Sequence, residues 1–163
     1  MSVEIRPIRA TDAACLSDAW ARSSPESRHR RMNGTLAYLR PAELRYLTEI
    51  DHHHHEAVVA IDTDTGRLIG VMRYIRSPDD PEEAELAALV VDDWQRRGVG
   101  TALLAELSTH AAAHGVERYR AIVSPENTPV IAALRRMGAV PRPHDGELHF
   151  LLPVATTAGI LAR

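Results

Sequence analysis

The stretch Leu89-Val90-Val91-Asp92-Asp93-Trp94-Gln95-Arg96-Arg97-Gly98-Val99-Gly100-Thr101 holds the densest chemistry in the chain. It runs from an apolar segment through a glycine-bearing turn straight into a helical pattern. Glycines admit backbone angles that aim successive N–H groups inward, and the helix adds its unpaired first-turn donors and positive dipole end. Such a turn is an anion site, and a phosphate fits it. Arg96 and Arg97 strengthen the expectation, because a cation at a helix N-terminus costs about 0.3–1 kcal/mol unless something negative sits beside it. The competing possibility is that the arginines are simply solvated and the glycines simply turn the chain. Other phosphate motifs fit poorly. A dinucleotide fingerprint wants a third glycine where Leu103 stands, and a P-loop wants Gly-Lys-Ser/Thr after four spacer residues.

Two flanking residues extend this chemistry. Glu85 opens the strand that leads into the turn, a carboxylate beside an apolar run, where partial loss of water would suit it to accept a proton. It can equally be a solvent-facing charge at a strand end, with Glu82 and Glu83 as company. Asn127 opens a later helical segment. Its amide can cap that helix or donate and accept toward a ligand, and the two roles are compatible.

These residues need a scaffold. Val3 to Arg9 alternates like a strand, Thr11 or Asp12 can cap a helix to about Ser23, and Ser24 with Pro25 starts another. A short helix is predicted from Pro41 to Thr48. Glu56 to Asp62 and Leu68 to Arg76 are strand-like runs joined by a hairpin at Asp64-Thr65-Gly66. Leu86 to Val91 is continuously apolar, as for a strand buried on both faces, and a helix follows from about Gly98 to His114. Arg118 to Val123 is a strand, Asn127 to Met137 a helix closed by Gly138, and Glu147 to Leu152 a final strand. The order predicts one mixed α/β sheet with helices on both faces. It fits a single domain over residues 1–154, followed by a loosely ordered tail over 155–163.

Composition narrows the class. The chain has 163 residues, 45% of them apolar and 25% charged, enough to bury one core. Its single cysteine, Cys15, allows no internal disulfide and sits in a helical pattern that suits packing. A net charge of -3 gives no global attraction to nucleic acid or anionic membrane, so neither is an expected partner. No apolar run approaches a membrane span, and the N-terminus lacks the pattern of a secretory signal, so a cytoplasmic location is expected.

The turn resembles the acetyl-CoA signature of the GNAT N-acetyltransferase superfamily, Gln/Arg-x-x-Gly-x-Gly/Ala, here Gln95, Gly98 and Gly100. The helix from Asn127 through Leu134 to Gly138 and Ala139 is similar to the family's next segment, with Ala139 in place of its usual aromatic residue. Ile5-Arg6-Pro7-Ile8-Arg9 followed by Asp12 is also common there. The match is closer still to the catalytic domain of bacterial protein lysine acetyltransferases. Ser24-Pro25-Glu26-Ser27-Arg28, Asp51-His52, His55-Glu56-Ala57 and Ala84-Glu85-Leu86-Ala87 carry that likeness.

The resemblance implies a mostly antiparallel sheet of about six or seven strands and transfer of an acetyl group from acetyl-CoA by direct attack of an amine. A protein lysine is the favoured acceptor. It implies that the main chain at Leu89, Val90 and Val91 pairs with pantetheine, with the Val90 N–H best placed for the oxyanion. The loop from Gln95 through Arg96, Arg97, Gly98, Val99 and Gly100 to Thr101 would hold the pyrophosphate, Asn127 the pantetheine arm or a phosphate of CoA, and Glu85 the proton. The tyrosine that many members use as general acid is replaced by Leu134, which leaves solvent, a hydroxyl such as Ser124, or departure as thiolate. Acetyl-CoA would be the cosubstrate, without metal. The alternatives are an acetyl-CoA-binding sensor without turnover and an acetyltransferase of a small-molecule amine.

Weaker signals have plainer explanations. His52-His53-His54-His55 is expected to be a polar turn rather than a metal site, since adjacent histidines alone do not close a coordination shell. His110 and His114 share a helical face but lack the glutamate of a zinc hydrolase motif. Asp79, Asp80, Glu82 and Glu83 read as a solvated acidic turn that could also attract a cationic amine.

Overall fold

The computed structural model describes residues 2–32 and 38–159. Strand β1 (Val3–Pro7) pairs antiparallel with β2 (His55–Asp62). The turn at Gly66, where φ is +70°, returns the chain into β3 (Arg67–Arg76), which pairs antiparallel with β4 (Glu83–Val90). From β4 the sheet steps to β5 (Arg118–Val123) in parallel, and a parallel step needs a crossover. Helix α4 (Val99–Ala113) supplies it. Beyond β5 lie β7 (Glu147–Pro153) and the edge strand β6 (Pro141–His144), completing a seven-stranded sheet of order β1-β2-β3-β4-β5-β7-β6. This is the mixed, mostly antiparallel sheet expected. Strand β6 is absent from the sequence reading because Pro141 and Pro143 hide it, and only an edge position spares their missing donors.

Helices cover both faces. On one, α1 (Ala13–Arg22) and α3 (Pro41–Thr48) bring Leu16, Trp20 and Leu47 onto Val59, Val71 and Leu89. Cys15 packs partly buried at the edge of this cluster. On the other face α4 and α5 (Thr128–Arg136) pack Leu103, Leu107 and Leu134 against Ile69, Tyr119 and Phe150. Gly70 sets the depth of that contact. A Cβ there would stand 3.0 Å from Leu103 and 3.2 Å from Val99, so only glycine lets α4 approach β3 this closely.

Three expectations change. Asp12 does not cap α1 through its side chain; it ends a 3-10 turn at Ala10–Asp12. The segment expected as a tail from Ala155 begins as helix α6 (Val154–Gly159), whose Thr157 is buried and hydrogen-bonds Ser108 at 2.6 Å. Strand β4 is not buried on both faces, since Glu85 and Ala88 are exposed.

Asp12 instead ties the end of β1 to the helical layer. Both its oxygens accept from the Arg6 guanidinium at 2.8 Å, and one also accepts from the Arg9 N–H at 2.7 Å. Burial pushes the Asp12 carboxyl up, yet these bonds outweigh it and hold the group below the usual carboxylate range. The unfolded chain therefore binds this proton more readily. The stabilisation is complete above the ordinary carboxylate value of about 4 and is lost as pH falls through the lower native value. Asp12→Asn is expected to cost about 1–3 kcal/mol in urea unfolding at neutral pH. The penalty should shrink in acid, and a pH-independent penalty would show that charge is not involved.

Candidate functional site

The site begins where two strands part. The β4–β5 ladder runs from Glu83 opposite Arg118 to Leu86 opposite Ala121 and ends, while β4 continues to Val90. Its other edge stays paired with β3 over the whole length, in one register from Arg76 opposite Ala84 to Gly70 opposite Val90. At the two ends Ser77 N–H donates to the Glu83 carbonyl at 2.8 Å and Val91 N–H to the Ile69 carbonyl at 2.9 Å. Antiparallel alternation then points the main chain of Glu83, Glu85, Ala87, Leu89 and Val91 at β3, and that of Ala88 and Val90 at the opening. Of the Leu89, Val90 and Val91 main-chain groups expected to be free, Leu89 and Val91 are thus turned toward β3, and the Val90 N–H faces the gap. The parting of the strands is also why β4 is half exposed here.

Past Val91 the chain makes a 3-10 turn at Asp92–Trp94 and enters the loop. Arg96 has φ +58° and Gly98 φ +83°, so two left-handed residues bracket Arg97 and curl the backbone just before α4. Gly98 is the helix N-cap and offers no side chain to the first-turn donors. Arg97 lies over the Trp94 ring, 5.3 Å from its centroid, and Trp94 packs on the core. Val99 is buried beside Gly70 and pins the first turn, while Thr101 is exposed. The Gln95 side chain is exposed but tied back to the protein, donating to the Val90 carbonyl at 3.0 Å and to Ser27 Oγ at 3.2 Å. It shapes the loop.

Gly100 is the informative glycine. Its φ is not left-handed, and a Cβ built on it meets nothing within 4 Å. A helical glycine costs about 0.5–1 kcal/mol relative to alanine, and no protein contact here requires one. Close approach of an external group to the backbone would require it.

Glu85 stands on the half-open strand, on the face that Leu89 and Val91 share with α1 and α3. It is exposed, so the burial expected of it is absent. The neighbouring acids are largely matched by arginines. Asp80 accepts from Arg118 at 2.6 Å, and Glu83, 9% exposed, pairs with Arg120 at 2.5 Å. The expected solvated acidic turn is instead an ion-paired strap across β5, with less charge left to attract an amine.

Asn127 is the N-cap residue of α5 by position, yet its side chain makes no capping bond, which leaves the carboxamide to other partners. Leu134 is buried in the core, where it offers no proton. The Ser124 hydroxyl donates to Glu126, which commits the proton considered above for the leaving group. Tyr74 and Tyr119 are fully buried; burial pushes the Tyr74 phenol up to about 12 and the Tyr119 phenol higher still.

The histidine tract is a capped turn. Asp51 accepts the N–H groups of His53, His54 and His55, which hold its carboxyl far below the usual range, and His52 Nδ1 lies 2.8 Å from buried Glu56. His110 bonds Glu106 at 3.1 Å. Among the described residues no group of three or more His, Cys, Asp or Glu is arranged to hold a metal ion. A cavity of about 510 Å³ opens beside His52, Glu56, His110 and His114, along the second half of α4 and away from the loop. None of the described helices is long and apolar enough to cross a membrane.

Asp92 and Ser27 brace the loop from behind. Asp92 Oδ1 accepts the Ser24 N–H at 3.0 Å, 68 residues away in sequence, and Ser24 Oγ caps α2 (Pro25–Met32) by accepting the Ser27 N–H at 3.1 Å. The Ser-Pro-Glu-Ser cap was legible, but its partner was not.

Comparison with known proteins gives the same outline. The Mycolicibacterium smegmatis Acetyltransferase Pat is 32% identical over 136 residues, which make up 83% of this chain and 40% of that protein. The chain thus spans well under half of that relative's length. The crystal structure of the GNAT domain of S. lividans PAT superposes with a TM-score of 0.86 at 28% identity, covering 93% of this chain and 90% of the other. A cAMP-binding acyltransferase from Mycobacterium smegmatis superposes at 0.65 with 28% identity, over 93% of this chain and 44% of that one. The profile of the acetyltransferase (GNAT) family matches residues 16–139, a span that holds the parted strand, the loop and α5. The chain belongs to the acetyltransferase (GNAT) family of acyltransferases.

Proposed function

We propose that this chain binds acetyl-CoA and transfers its acetyl group to an amine, with a protein lysine as favoured acceptor. The observation that carries the proposal is the open edge of β4 leading into a glycine-lined helix N-terminus, with vacant space over Gly100. The pyrophosphate would sit on main-chain N–H groups between Gln95 and Thr101, with Arg96 and Arg97 beside it. The pantetheine arm would lie in the gap between β4 and β5, near Asn127. The likeness to Acetyltransferase Pat and to the GNAT domain of S. lividans PAT supports a protein acceptor over a small amine.

An alkylammonium has a pKa of about 10.4 and must lose a proton before its nitrogen can attack. Glu85 would take that proton, directly or through one water. The nitrogen lone pair then adds to the thioester carbonyl, whose oxygen gains charge and is steadied by the Val90 N–H. Collapse breaks the C–S bond and releases the CoA thiolate, and the nitrogen, which carries a positive charge after attack, gives up its second proton to solvent to leave the neutral amide. With Leu134 apolar and Ser124 committed to Glu126, the thiolate takes its proton from solvent. No step needs a metal ligand from this chain. The proposal includes action as a single domain in the cytoplasm.

The test is free-thiol release from acetyl-CoA with a panel of lysine peptides, intact proteins and small amines. Release that depends on a lysine peptide or protein supports the proposal. Release with small amines alone would reassign the acceptor, and acetyl-CoA binding without release in any mixture would make the chain a sensor.

A further inference from the structure

A hydrogen-bonded bridge joins the anion loop to a helix that is remote from it in sequence. Asp92, two residues past the end of β4, accepts the Ser24 N–H at 3.0 Å, and the Ser24 hydroxyl donates to Ser27 Oγ at 3.2 Å beside it. Gln95, at the start of the loop, donates to Ser27 Oγ at 3.2 Å and to the Val90 carbonyl at 3.0 Å. Ser27 is buried, and its N–H closes the cap of α2 on Ser24 Oγ. One small cluster therefore fixes three things at once. These are the first turn of α2, the path of the loop, and the carbonyl that shares a peptide edge with the outward Val90 N–H.

Helix α2 packs on β4 and follows α1, which covers the face where Glu85 stands. Gln95 and Arg96 to Gly98 are exposed. The bridge thus ties the loop that follows β4 to the first turn of α2.

We infer that Asp92 and Ser27 are positioning residues that couple the diphosphate loop to α2, and that α2 bounds the acceptor site, so that occupation of the loop orders that boundary. The inference rests on the loop binding CoA as proposed above. Its physical basis is reciprocity: a contact network shared by two sites lets a ligand at one stabilise the arrangement needed at the other, and the effect runs both ways. Burial pushes the Asp92 carboxyl up, but the serine bonds outweigh it and keep the group charged, so the bridge persists through the neutral range. Neither residue touches the anion or the reacting carbonyl in this arrangement, so their removal should spare cofactor affinity far more than it affects the acceptor.

Amide hydrogen exchange over α2, with CoA as the probe, tests this. Saturating CoA is expected to slow exchange at residues 27–32 of the wild-type chain by about tenfold. In Ser27→Ala and Asp92→Asn, CoA should bind within about threefold of wild type while the slowing of α2 largely disappears. In turnover, the KM for a lysine peptide should rise about fivefold or more with the KM for acetyl-CoA nearly unchanged. CoA binding to the wild type without a response in α2, or an equal response in both variants, overturns the coupling alone. Absence of CoA binding to the wild type overturns the coupling and the proposed function together. Asp92→Glu, which keeps the charge and shifts its reach, should restore part of the α2 response.

Discussion

Gly100→Leu is expected to make the chain more stable and nearly unable to hold CoA. Leucine is a better helix former than glycine by about 0.5–1 kcal/mol, and the Cβ it introduces meets no protein atom within 4 Å. The melting temperature should therefore hold or rise by roughly 1–4 °C. The same side chain would occupy the space over the first-turn N–H groups. Losing two charge-assisted hydrogen bonds of about 1.5–3 kcal/mol each would weaken CoA by about 100-fold or more. Opposite signs in the two measurements are the diagnostic result, because a misfolding variant would lose both together. Calorimetric titration beside a thermal melt supplies the pair, and unchanged affinity would refute the loop as the diphosphate site.

Glu85→Gln should leave CoA affinity intact and lower kcat by about 10²–10⁴-fold, the usual contribution of a positioned base. Glutamine keeps the size of the side chain and removes its ability to take a proton. Because Glu85 is exposed and belongs to neither core cluster, the variant should fold normally. The rate of the variant should recover as pH approaches the acceptor's own pKa of about 10, where the free amine no longer needs a base. A variant with wild-type rate and wild-type pH profile would remove Glu85 from the mechanism. Loss confined to the acceptor KM would make it a recognition residue instead.

These two residues differ in how they could be read. The turn at Gly98 and Gly100 can be read locally, since a glycine-bearing turn between an apolar strand and a helix is recognisable within a dozen residues, and the structure has strand, turn and helix there. Glu85 was located on the right strand but in the wrong surroundings. An apolar run of Leu86 to Val91 suggests burial on both faces, whereas Glu85 is exposed although it still stands opposite Arg120 of β5, and beyond Leu86 the strand also loses that neighbour. Hydrophobicity reports that a segment prefers to be covered, and it cannot report how far its neighbour accompanies it.

Local preferences were enough to establish most of the helices and strands, though not β6 or α6, the place of the glycine-bearing turn before α4, and that the strands form one mixed sheet. Periodicity, caps and glycine geometry act over a few residues and survive in any context. Tertiary packing alone chose the direction of the Val90 N–H, because that depends on the unbroken register between β3 and β4. It also chose the exposure of Glu85 and the meeting of Ser24 and Ser27 with Asp92 and Gln95 across 68 residues. Contacts of that kind form only once the sheet has set the spacing of its strands, and no local pattern in the chain encodes a distance.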